Sequence, residues 1–238
     1  MVNLEKLILL LEENHFIIVL LFFLELFAII IALKNLRSQY LGRLFIIYLS
    51  LDALLICTDI LLFSTPSIRS SFKLKFLTIT NTIIGVTELL VYYSYFKQIL
   101  EGKKIKWLIV NIQRLIIVLA ISVILFTIIS PYKDSEYTAN LLGVLELLLF
   151  IPPSIFYFQK ILNTESNLRL FSRPSFWITS GVFFYSASAI PYYLIKKYLD
   201  SIHNPYRFDI ATAFYYTPII INVIFLIFAF RWKKPITI

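Results

Sequence analysis

One cysteine, two histidines and five glycines are all that 238 residues contain of these types. A single thiol, Cys57, excludes an internal disulfide and any multi-cysteine metal site. Its place inside an apolar block reads as that of a small packing residue. His15 and His203 lie near Glu12, Glu13, Asp200 and Asp209, but no ligand spacing supports a metal there. Neither His-x-x-x-His nor Gly-x-Ser-x-Gly occurs, no catalytic motif is recognised, and no cofactor is expected. Scarce glycine means that close glycine-mediated helix contact is not the main packing theme. Charge is scarce too, at 15%, against about 25% in soluble domains.

What replaces charge is apolar sequence, 59% of the chain. Its arrangement in blocks matters more than its total. A membrane-crossing helix needs about 20 mostly apolar residues to traverse a hydrocarbon layer roughly 30 Å thick. Seven such blocks read off the chain: Phe16–Leu33, Leu41–Phe63, Phe76–Leu100, Trp107–Ser130, Ala139–Leu162, Ser175–Ile195 and Ile210–Phe230. They leave no stretch for a soluble domain. The expected fold is all-α, a single seven-helix transmembrane domain over residues 1–238. Pro66 and Pro131 mark helix ends, and Pro174 suits a first turn, where a missing N–H costs little. Met1–Leu11 is apolar but short and reads as an interfacial segment. It carries Glu5 beside Lys6 and has no small-residue cleavage site, so a cleaved signal peptide is not expected.

The net charge of +8 invites a nucleic-acid reading. The basic residues, however, sit in short connections beside apolar blocks, where topology signals belong. Fourteen of the 22, among them Lys34, Arg43, Lys97, Lys103, Lys106, Lys160, Arg173 and Arg231, fall on one side. That side is expected to be cytoplasmic, with the N-terminus outside, and nucleic acid is not an expected partner. Arg114 lies within the fourth span, where the choice is between snorkelling to the inner surface and a buried ion pair. No lysine lies in the seventh span, which excludes a retinal Schiff base there.

Five carboxylates fall inside spans: Glu25, Asp52, Asp59, Glu88 and Glu146. A charge at mid-bilayer costs roughly 2.5–3.5 kcal/mol on insertion scales. Such groups face the interior, find a partner or take up a proton. Helical spacing places Tyr48, Asp52 and Asp59 on one face, and likewise Asn81, Glu88, Tyr92 and Tyr95. Gly143, Glu146, Phe150 and Tyr157 form a third stripe, and Thr212, Tyr215 and Asn222 a fourth. Either these acids hold helices in register through hydrogen bonds, or they form a ligand or proton site. The candidate set for the second case is Glu25, Asp52, Asp59, Glu88, Tyr92, Glu146, Tyr185 and Tyr215, with the outer half of the bundle expected to hold the cavity. Pro152, Pro153 and Pro218 are expected to interrupt helices and Pro191 to sit late in the sixth, each freeing backbone carbonyls.

An internal echo links the third and fifth spans. Gly85-Val86-Thr87-Glu88-Leu89-Leu90 is followed by Tyr95-Phe96-Lys97-Gln98-Ile99-Leu100. Gly143-Val144-Leu145-Glu146-Leu147-Leu148 is followed by Tyr157-Phe158-Gln159-Lys160-Ile161-Leu162. The second member comes four residues later in the fifth span, around Pro152–Pro153. A parallel repeat would read this way.

From Tyr157 to Asn163, then Arg173-Pro174-Ser175-Phe176-Trp177-Ile178, Gly181 through Tyr185 and Ile190-Pro191, the chain resembles an uncharacterised family of small seven-helix membrane proteins of Bacteroidota. The resemblance implies a fold and a compartment, the bacterial inner membrane, and carries no activity. The leading functional expectation is a stand-alone sensory or signalling module acting through a separate partner at its basic cytoplasmic loops, with only eight residues beyond the last span. The rivals are a small transporter or proton-coupled carrier using the intramembrane acids, a lipid-acting enzyme with paired carboxylates as acid and base, and a structural subunit.

Overall fold

The computed structural model describes residues 16–36, 38–64, 70–100, 102–129, 132–163, 167–201 and 207–232. They form seven α-helices and no strand among the described residues. These are α1 (Phe16–Leu36), α2 (Tyr40–Ser64), α3 (Ser70–Ile99), α4 (Lys103–Ile129), α5 (Tyr132–Leu162), α6 (Pro174–Ser201) and α7 (Arg207–Phe230). A short 3₁₀ helix, Asn167–Ser172, precedes α6.

The helices outrun the hydropathy blocks. α3 begins at Ser70 rather than Phe76, and α5 at Tyr132 rather than Ala139. Backbone N–H and C=O groups need partners whether or not the side chains are apolar, so a helix continues past the end of its apolar stretch. Pro174 occupies the first helical position of α6, as its fixed φ and missing donor favour. Pro191 lies within the later part of α6 as expected. Pro152 and Pro153 depart from the expectation by lying within an unbroken α5, and Pro218 by lying within an unbroken α7. The segment Met1–Leu11 and His15 and His203 lie outside the described residues.

Six helices form a ring in which α1, α2, α3, α5, α6 and α7 each pack on the next, and α7 closes on α1. α4 stands outside, against α3 and α5. This explains an uneven distribution of polarity. Among the described residues, α1, α2, α4 and α5 contain windows long and apolar enough to cross a membrane. α7 carries a shorter apolar stretch, Phe214–Phe230. α3 and α6 are more polar, and many of their Thr, Ser and Tyr side chains are turned inward: Thr82, Tyr92, Tyr95, Ser175, Thr179 and Ser186 are all buried. The exposed surface is apolar instead. Phe23, Phe27, Ile30, Leu54, Leu115, Val118 and Leu125 each present half or more of their area. A water-soluble chain shows the reverse pattern, so the molecule is built for an apolar surrounding and is a membrane protein.

One end of the bundle is closely tied. The turn between α3 and α4 passes through Gly102 at φ +110°, a left-handed conformation that glycine adopts at little cost. Asn35 donates from α1 to the carbonyl of Phe230 in α7 at 2.9 Å. The Trp177 indole donates to the carbonyl of Phe171 at 2.8 Å, which fixes the 3₁₀ helix to α6. Its ring also stacks on Phe228 of α7, with centroids 5.0 Å apart. One expectation fails here. Cys57 is exposed, because it lies on the rim between α1 and α2 and not under a neighbouring helix. Arg114 is exposed, which fits snorkelling and not a buried ion pair, since α4 is peripheral.

Candidate functional site

The buried polar groups divide into two kinds. Most hydroxyls are satisfied by their own helix: Thr82 donates to Thr78, Thr127 to Val123, Ser154 to Phe150 and Ser186 to Val182, at 2.7–2.8 Å. Such i to i−4 bonds let a short polar side chain lie in an apolar interior with little penalty. A second group of hydroxyls joins helices. Tyr95 of α3 donates to the Ser175 carbonyl at 2.7 Å and meets the Thr179 hydroxyl at 2.8 Å. Tyr157 of α5 donates to the Ser175 hydroxyl at 2.9 Å. Tyr92 of α3 donates to the Asn222 side-chain oxygen of α7 at 3.0 Å. This network near the tied end ties α3, α5, α6 and α7 together. The sequence reading missed Ser175 and Thr179, since nothing distinguishes a buried serine from others in an apolar block.

The carboxyls are different. Glu25 on α1, Asp52 on α2, Glu88 on α3 and Glu146 on α5 are all buried, with exposures of 0%, 9%, 5% and 8%. Three share one level. Glu25 lies eleven residues before the end of α1, Asp52 twelve after the start of α2, and Glu88 eleven before the end of α3. At about 1.5 Å per residue this is some 16–18 Å from the tied end, near the middle of a hydrocarbon layer. Glu146 lies sixteen residues before the end of α5, roughly one turn farther out.

These carboxyls form a row across the ring. Glu25 and Asp52 face each other within hydrogen-bonding reach. Asp52 neighbours Glu88, and Glu88 neighbours Glu146. The Tyr48 hydroxyl reaches Glu88. Among the described residues no lysine or arginine is buried, so the row has no basic counterpart. Neither oxygen of Glu25, nor Oε1 of Glu146, has a hydrogen-bond donor. The facing acids and the absent donor are compatible. Two carboxylates are both acceptors, and a bond between them exists only when a proton lies on one of them.

Glycine makes room for the last member. A Cβ on Gly85 would stand 2.5 Å from Oε2 of Glu146, and one on Gly143 would stand 3.2 Å from the Tyr193 ring. The two echoed Gly-Val-x-Glu-Leu-Leu segments therefore serve unlike neighbours: Gly85 seats a carboxyl from α5, and Gly143 seats a tyrosine from α6. Tyrosines surround the outer part of the row. Tyr185 faces both Glu88 and Glu146, and Tyr193 faces Glu146. Tyr215 lies toward Asp52 and packs its ring on Tyr192 at 5.4 Å and Tyr216 at 4.9 Å.

Of the residues singled out from sequence, Glu25, Asp52, Glu88, Tyr92, Glu146, Tyr185 and Tyr215 converge on this region. The side chain of Asp59 lies outside the described residues. Asn81 leaves the stripe assigned to it and is exposed, because α3 has no neighbour over that face at that height. Tyr193 was missed; its one signal was the Tyr-Tyr pair after Pro191. A separate open groove of about 390 Å³ runs between α1 and α2, lined by Phe22, Leu26, Ile29, Ser50, Ala53, Leu54 and Cys57. Its wall flanks Glu25 and Asp52 in sequence but does not include them.

No protein-family model matches the chain, and neither a curated protein nor a solved structure matches it.

Proposed function

We propose that the chain is a seven-span inner-membrane protein, N-terminus outside and C-terminus in the cytoplasm, that works as a small proton-coupled carrier. The carrying observation is the row Glu25–Asp52–Glu88–Glu146, buried across the ring without a basic partner among the described residues. Carboxyls are expensive at this depth, and helix register can be held more cheaply by hydroxyl and amide bonds such as Tyr92–Asn222. A row that exchanges protons is a use that hydroxyls cannot serve. The polar α3 and α6 fit a spanning role because their polar faces are covered by neighbours. The orientation rests on the basic residues at the tied end, including Arg43, Lys97, Lys106 and Arg231.

The sensory reading keeps one supporting observation. The same basic end presents short connections that suit anionic lipid or a separate signalling partner. The lipid-acting enzyme has less support, because Glu25 is sealed from the α1/α2 groove and no acid–base pair opens to lipid there.

The test is purified protein in liposomes under a pH gradient, with a lumenal pH dye and a panel of small cationic, neutral and anionic solutes. A carrier moves protons when one solute class is added, and Glu88→Gln and Glu146→Gln abolish the movement while remaining folded. Folded protein that moves no protons with any class leaves the sensory reading.

A further inference from the structure

Within that proton-coupled reading, we propose that Glu25 and Asp52 together hold one proton between their carboxyls, and that this pair is the proton-binding site of the row. The geometry is specific to this pair. Glu25 is fully buried, and both its oxygens lack a donor. The group it faces within hydrogen-bonding reach is another acid. An unbonded carboxylate in this interior would be strongly disfavoured, and two side by side still more so. One shared proton turns the contact into a charge-assisted O–H···O bond and leaves a single negative charge on the pair.

Among the described residues the surroundings supply no alternative counter-charge. Facing the pair are Tyr48 from α2, Glu88 from α3 and Tyr215 from α7. Two are neutral hydroxyls and the third is another acid. No grouping of three acid, histidine or cysteine side chains suited to a metal ion exists among the described residues, so the arrangement fits a proton better than a metal ion. The two members are not equivalent. Asp52 keeps 9% exposure where Glu25 has none. Asp52 is therefore the exchanging member and Glu25 the retaining one. The bond also clamps α1 to α2, so losing the proton sets two like charges against each other across that interface.

A lipid-soluble carbodiimide tests this, because it reacts with protonated carboxyls and enters from the membrane. Wild-type protein in liposomes is treated with dicyclohexylcarbodiimide across a pH series, and the adducts are mapped by mass spectrometry. Labelling is expected at Asp52 and should decline as pH rises. In Glu25→Gln the amide donates to Asp52, which then stays ionised, and its labelling should drop to background. Infrared difference spectra in D₂O give an independent reading: the protonated-carboxyl band lost in Glu25→Gln should also be lost in Asp52→Asn. Equal labelling of Asp52 in wild type and Glu25→Gln would overturn the pair, as would a carboxyl band that survives both substitutions. If one variant fails to fold, the other and the wild-type pH series still decide. The carrier reading stands or falls separately: labelled protein that moves no protons keeps the pair and loses the carrier, and proton movement without a shared-proton band does the opposite.

Discussion

The hydroxyl of Tyr93 in α3 donates to the carbonyl of Leu149 in α5 at 2.8 Å, and Leu149 is the residue whose helical donor Pro153 removes. Proline at position i takes away the N–H that would bond the carbonyl at i−4. Elsewhere in a membrane that carbonyl would need water or a kink. Here a tyrosine from the neighbouring helix fills the gap, and α5 runs on unbroken to Leu162.

Tyr93→Phe should therefore lower stability by about 0.6–2 kcal/mol, the usual range for hydrogen bonds between membrane helices. Thermal unfolding in detergent measures it. Pro153→Ala restores the backbone donor, so in that background Tyr93→Phe should cost clearly less. Equal costs in both backgrounds would separate Tyr93 from the proline.

Gly85→Ala and Gly181→Ala should differ in how they can be relieved. A Cβ at Gly85 meets the end of the Glu146 side chain, whereas one at Gly181 meets Phe225 Cβ at 2.7 Å and Asn222 Oδ1 at 2.9 Å. Overpacking of this kind costs about 1–3 kcal/mol. Combining Gly85→Ala with Glu146→Ala should recover most of the loss. Gly181→Ala should not be recovered by shortening Asn222, because Phe225 Cβ moves only with α7. A melting series of these four variants decides between these outcomes.

Topology is open to direct labelling in a Cys57→Ser background. Cysteine placed at Lys103 should react with a membrane-impermeant maleimide only after cells are opened, and cysteine at Lys133 should react in intact cells. Strong labelling at position 103 in intact cells would reverse the orientation.

The native Cys57 provides a fourth check. It is exposed in the α1/α2 groove, so a lipid-soluble maleimide should modify it in folded protein while an impermeant one reacts poorly. Protection from both reagents would place it under another element.

Some of this was legible in the chain because it depends on local properties alone. Seven apolar blocks specify seven helices, since a backbone in an apolar surrounding must bond within its own segment. The interior placement of Glu25, Asp52, Glu88 and Glu146 follows from the cost of leaving a carboxyl in lipid. The helical stripes also put Tyr92, Tyr95, Phe150 and Tyr157 on inward faces. The rest depended on which helix stands beside which, a property no single segment contains. Periodicity gave Asn81 the same face as Glu88, but only the neighbours of α3 decide that one is exposed and the other covered. Apolar surroundings in sequence made Cys57 look buried, and the open side between α1 and α2 leaves it on the rim. The echo of Gly85 and Glu88 in Gly143 and Glu146 reads as repetition, yet the offset between α3 and α5 gives one glycine a carboxyl to seat and the other a tyrosine. The facing of Glu25 and Asp52, and of Tyr93 and the carbonyl that Pro153 frees, likewise arises only when separate helices meet at one height, because hydrogen-bond reach is a distance in space and not an interval along the chain.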